Sequence, residues 1–71
     1  MSVYRVTEII GSSPTSWEDA AREAIAAASH TLRDLRVAEI VGQDLTLDET
    51  GGVKAFRMRI RLSFKYEQER A

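Results

Sequence analysis

The side chains best suited to chemistry in this sequence are charged, and they cluster late in the chain. Arg57, Arg59, Arg61 and Lys65 fall at even spacing. In an extended backbone this sets neighbouring arginines ~6.6 Å apart on one face, a spacing that suits phosphate groups or an opposing row of carboxylates. Glu8, Glu39 and Asp44 lie in other strand-like segments, and ion pairs between them and Arg57, Arg59 and Arg61 are the simpler use of the strip. Asp44, Asp48 and Glu49 offer hard oxygen donors for calcium or magnesium. Their spacing does not match an EF-hand loop, and a solvated turn is the competing use. His30 is the single histidine and has no nucleophile or carboxylate partner by spacing. Ser12, Ser13, Ser16, Ser29 and Ser63 lack an elbow motif. Gly51-Gly52 leads into a strand, so it is neither a phosphate loop nor a dinucleotide fingerprint. The chain is read as non-enzymatic, with no catalytic residue.

The elements that must position these groups come from a chain of 71 residues, enough for one domain spanning 1–71. Apolar burial and chain ordering each come to ~110 kcal/mol at this length, a balance near zero. Chains this short usually add disulfides, a metal or partner subunits, and with no cysteine the expected supplement is self-association. The net charge of −1 argues against holding nucleic acid by bulk electrostatics. That average hides an asymmetry: residues 1–52 carry 4 basic and 9 acidic side chains, and residues 53–71 carry 6 basic and 2 acidic. No apolar run approaches the ~20 residues of a membrane span, and MSVYRVTEII does not resemble a signal peptide, so a cytoplasmic location is expected.

Residues 2–10 alternate in the manner of a strand, which is expected to end at Gly11. Ser12-Ser13-Pro14 breaks it, and Thr15 to Glu18 has capping-box spacing, so a helix is predicted to start within a residue of Ser16. Trp17, Ala20, Ala21, Ala24, Ile25, Ala28, Leu32 and Leu35 then recur every three or four residues, which predicts one amphipathic helix of about five turns. Its alanine-rich face permits close approach to a sheet but buries little area. A second strand over 37–47 is predicted to bulge near Gly42, and Asp48 to Gly52 is turn chemistry that joins it to a third in an antiparallel hairpin. In that third strand Phe56, Met58, Ile60, Leu62, Phe64 and Tyr66 form a core face, and the arginines form the other. Residues 68–71 are expected to fray. The fold class is α+β, in the order β-α-β-β, with a three-stranded antiparallel sheet wrapped around one helix.

VYRVTEIIGSSPTSWEDA, the Ala-rich helix ending in TLRDL, the VAEI strand start and the closing MRIRLSFKY together resemble the dodecin family across nearly the whole chain. The resemblance implies a hollow homododecamer of cubic 23 symmetry, and in many members pairs of flavins bound at twofold positions. In flavin-binding members a tryptophan stacks on the flavin two residues before the glutamate of the second strand. Val37 stands there in this sequence, two before Glu39. A third-strand glutamine that bonds the flavin edge is replaced by Arg57. The SPTSWE segment and RVA in place of the aromatic site look like the calcium dodecin subgroup. The expected function is therefore a binding or storage shell for a divalent cation, calcium, with flavin not expected. A flavin-storage dodecin with a rearranged pocket and a ligand-free scaffold are the alternatives. The partners expected are further copies of the chain and a divalent cation, with neither nucleic acid nor membrane.

Overall fold

The computed structural model describes residues 2–65; the expectations for Tyr66 and for residues 68–71 concern positions outside them. The chain forms β1 (Tyr4–Ser13), α1 (Trp17–Thr31), β2 (Leu35–Leu47) and β3 (Val53–Lys65), the order and fold class read from the sequence. The sheet is antiparallel in the order β1-β3-β2, so the cationic strand is the central one. The sequence pattern carried no signal for this order.

The central strand β3 also has the cleanest alternation in the chain. Met58, Ile60 and Leu62 are buried beneath α1, which presents Ala20, Ala24 and Ala28 to them, with Ile9, Trp17, Ile25, Leu32 and Leu35 packed around this core. Full burial of Ile60 and Leu62 contributes about 1.5–3 kcal/mol each. The small alanine face lets the helix sit close. A side-chain carbon at Gly11 would collide with the Ala20 carbonyl oxygen and lie 2.7 Å from Ala24 Cβ, so only glycine fits where the helix crosses β1.

β1 does not end at Gly11. It continues through Ser12 and Ser13, paired with Arg57 and Phe56, because the long central strand offers ladder partners that outweigh the poor strand propensity of glycine and serine. The helix start differs in detail from the Thr15–Glu18 box. Ser16 is the N-cap and accepts from the Asp19 amide at 3.0 Å, and Thr15 instead bonds the Asp19 carboxylate. The helix is 15 residues long, about four turns, and stops before Leu35. Leu32 turns extended, Asp34 takes φ 58°, and its carbonyl accepts from the Lys65 amide. Leu32 and Leu35 still pack on the core, but Leu35 does so from β2, paired with Phe64. Helical spacing could not distinguish those two placements.

β2 has its register shift at Ile40/Gly42, as the glycine suggested, and others at Leu35/Val37 and Thr46/Leu47. The turn closes through Asp48 N to Gly52 O at 2.8 Å and Gly51 N to Asp48 O at 3.1 Å. α1 packs mainly on β1 and β3, leaving much of the helix side of β2 uncovered. Ile40 and Leu45, opposite Ile60 and Phe56, remain 50% and 39% exposed.

Candidate functional site

Residues opposite one another in an antiparallel ladder share a face, so the registers place the polar groups directly. The face away from α1 holds three consecutive rows across β1, β3 and β2: Ser12–Arg57–Asp44, Ile10–Arg59–Gly42 and Glu8–Arg61–Glu39. Val6–Ser63–Val37 forms the next row.

The outer two of the three arginine rows are closed by ion pairs within the chain. Arg57 donates to Asp44 Oδ1 from Nε at 2.7 Å and to Oδ2 from Nη2 at 2.8 Å, a two-point contact. These bonds hold the Asp44 carboxyl below the usual carboxylate range, with a smaller push from the charge of Arg59. Arg61 donates to Glu8 Oε2 from Nη2 at 2.9 Å and from Nε at 3.3 Å, and its Nη1 lies 3.6 Å from Glu39 Oε1. One guanidinium thus ties both flanking strands to β3. All these groups keep substantial solvent exposure, so each pair is a surface contact and not a desolvated one. The Arg59 side chain has neither hydrogen bond nor ion pair among the described residues.

The structure does not gather Asp44, Asp48 and Glu49. Asp44 is engaged by Arg57 on the sheet face. Asp48 is in the hairpin turn, where Oδ1 accepts from Thr50 N, Thr50 Oγ1 and Gly52 N; these bonds, the Thr50 hydroxyl foremost, lower its carboxyl pKa. Among the described residues no three His, Cys, Asp or Glu side chains converge as a metal site. His30 is exposed in the last turn of α1.

Val37 stands 57% exposed on the same face, with no aromatic ring at its place. Trp17 is on the other side of the sheet, edge-on to Phe56 at 5.2 Å between ring centres, with its Nε1 donating to the Asp44 carbonyl at 3.2 Å. It is a packing residue of the helix start and supplies no open stacking surface at Val37. Sequence reasoning missed a groove of about 520 Å³ at the end of α1, lined by Arg5, Thr31, Leu32, Arg33, Asp34, Phe64 and Lys65. The Arg5 guanidinium lies 5.8 Å from the Phe64 ring centre. No local spacing links residues 5, 33 and 65; only the β1–β3 register and the helix end do.

The Dodecin family profile matches residues 3–67, all four elements included. The chain belongs to the dodecin family. It is 48% identical over 65 residues to the calcium dodecin of Mycobacterium tuberculosis, covering 92% of this chain and 90% of that one. The crystal structure of that relative, described as a calcium chelating antigen with a novel calcium-binding site, superposes with a TM-score of 0.82 at 43% identity, covering 99% of each chain. The dodecin of Streptomyces coelicolor gives a TM-score of 0.88 at 34% identity over 96% of each chain. Among the described residues, this dodecin has no helix long and apolar enough to cross a membrane.

Proposed function

We propose that this dodecin is a non-enzymatic binding or storage protein that assembles as a homododecameric shell in the cytoplasm and holds a divalent cation, calcium, in place of flavin. The observation that carries the choice is Val37, an exposed aliphatic side chain where the family resemblance puts the flavin-stacking tryptophan. Arg57, at the place of the flavin-bonding glutamine, is occupied by Asp44 and offers donors where glutamine offers a donor and an acceptor. The 48% identity with a calcium dodecin supports calcium as the ligand.

Symmetry-repeated carboxylates are the donors this reading invokes, since among the described residues no three converge within one chain. Asp48 keeps Oδ2 outside the turn's hydrogen bonds, and Glu49 beside it is exposed. Oxygen ligands of this kind suit calcium, which accepts six to eight of them in flexible geometry. Self-assembly is supported by the uncovered apolar side chains on both faces of β2, among them Val37, Ile40 and Leu45. Calorimetric titration of calcium into chelator-treated protein tests the reading, with visible absorbance of the freshly purified protein alongside. Saturable calcium binding by a colourless protein is expected. A yellow protein that shows no calcium heat overturns it.

A further inference from the structure

We propose that the outer sheet face carries an oxyanion-binding point centred on Arg59, which takes a small molecule through a phosphate or carboxylate group. This site uses none of the carboxylates assigned to calcium and stands or falls separately from that reading.

The argument rests on how the rows of the sheet alternate. On β3 the three guanidiniums form a cationic ridge, and the acids that neutralise it stand on the flanking strands. Asp44 closes the Arg57 row and Glu8 with Glu39 closes the Arg61 row. The Arg59 row has no acid at either end. Ile10 on β1 supplies an exposed aliphatic side chain, and Gly42 on β2 supplies none. The space beside Gly42 is open, because a side-chain carbon built there meets no heavy atom within 4 Å. Arg59 is exposed, and among the described residues its planar fork of N–H donors has no partner. Such a fork matches the oxygens of a carboxylate or phosphate two at a time. Arg57, two residues away on the same face, spends Nε and Nη2 on Asp44 and leaves Nη1 outside that contact.

The same geometry limits the ligand to a small one. An oxyanion over the Ile10–Arg59–Gly42 row meets donors and an apolar wall, whereas over the adjoining rows it meets the oxygens of Asp44, Glu8 or Glu39. A polymer with phosphates at regular intervals would have to cross those acids, so the arginine strip does not suit a nucleic-acid backbone.

The test is titration of the assembled protein with inorganic phosphate, and separately with acetate, in low-chloride buffer, read by calorimetry and by phosphorus NMR line width for the phosphate arm. Arg59→Gln should weaken binding by at least about tenfold, the loss expected when a charge-assisted two-point contact is removed. Gly42→Asp keeps Arg59 but fills the open place with an internal acid, and should weaken binding to a similar degree. Lys54→Gln, an exposed cation elsewhere on β3, should leave it unchanged. Arg59-dependent binding of phosphate, acetate or both supports the site and tells which group it prefers. Absence of binding to the parent, or equal binding by the parent and Arg59→Gln, overturns it. If Gly42→Asp does not assemble, Arg59→Gln decides alone.

Discussion

Asp44 faces Arg57 across the β2–β3 ladder with both carboxylate oxygens engaged, and the carbonyl of the same Asp44 accepts from Trp17 Nε1 at the start of α1. One residue of β2 therefore links the helix start to the polar face of the central strand. Its side chain makes the one link and its main chain the other.

The pH dependence of this link has a definite sign. Arg57 lowers the Asp44 pKa in the folded chain, relative to an unfolded value near ~3.9. Stability from the pair is fully present above that unfolded value and is lost as pH falls through the folded one. The melting temperature should thus be insensitive to this pair from pH 7 down to about pH 4 and decline below it. Asp44→Asn should melt lower than the parent at pH 7 and lose less on acidification, as thermal melts at pH 7 and pH 3 can show. Equal acid sensitivity of the two proteins would count against the pair as a source of that decline.

Glu8 and Glu39 share Arg61 unequally. Glu8 accepts two hydrogen bonds, and Glu39 stands 3.6 Å away with its side chain 61% exposed. Glu8→Gln should lower the melting temperature more than Glu39→Gln, with both changes small enough that assembly persists at pH 7. A larger effect of Glu39→Gln would contradict the geometry.

Gly11→Ala should be far more damaging than its size suggests. The added carbon meets main chain of α1, which cannot swing aside as a side-chain tip would, so overpacking of about 1–3 kcal/mol or more is expected in chemical denaturation. Ile60→Ala, which empties the centre of the core, should cost about 2–5 kcal/mol. A Gly11→Ala protein as stable as the parent would show that the helix does not lie so close to β1.

Assembly is checked by native mass spectrometry or light scattering at micromolar concentration. Homododecamers, at twelve times the 8.0 kDa chain, should dominate with no stable free monomer. Ile40→Glu or Leu45→Glu places a charge in the uncovered side of β2 and should shift the population toward smaller or unfolded species. A folded monomer of the parent at that concentration would refute the shell.

Flavin exclusion is tested by fluorescence quenching of riboflavin, FMN and FAD. The parent should quench weakly or not at all, because Val37 presents no π surface. Val37→Trp combined with Arg57→Gln should restore measurable quenching. Submicromolar binding of flavin by the parent would instead favour a rearranged flavin pocket.

The sequence by itself determined the elements whose patterns have one solution. The alternation from Phe56 to Phe64 is compatible only with a strand that buries one face. Asp48 to Gly52 can only be a turn, and Gly42 marks the bulge. It also carried the absence of an aromatic side chain at Val37, since that is a matter of residue type. Local pattern could not decide where two solutions fit the same residues. Leu32 and Leu35 satisfy helical spacing as well as they satisfy a cap and a strand start, and the pairing of Leu35 with Phe64 settled the matter. Gly11 reads as a strand terminator until the helix is seen to press on it. The partners of the arginines were a list of three acids in the sequence. Only the order β1-β3-β2 assigned Asp44 to Arg57 and Glu8 with Glu39 to Arg61, and left Arg59 without an acid among the described residues. Charge type is local, but pairing depends on which strand lies beside which, and loop closure over 13 or 53 residues leaves no trace in the spacing.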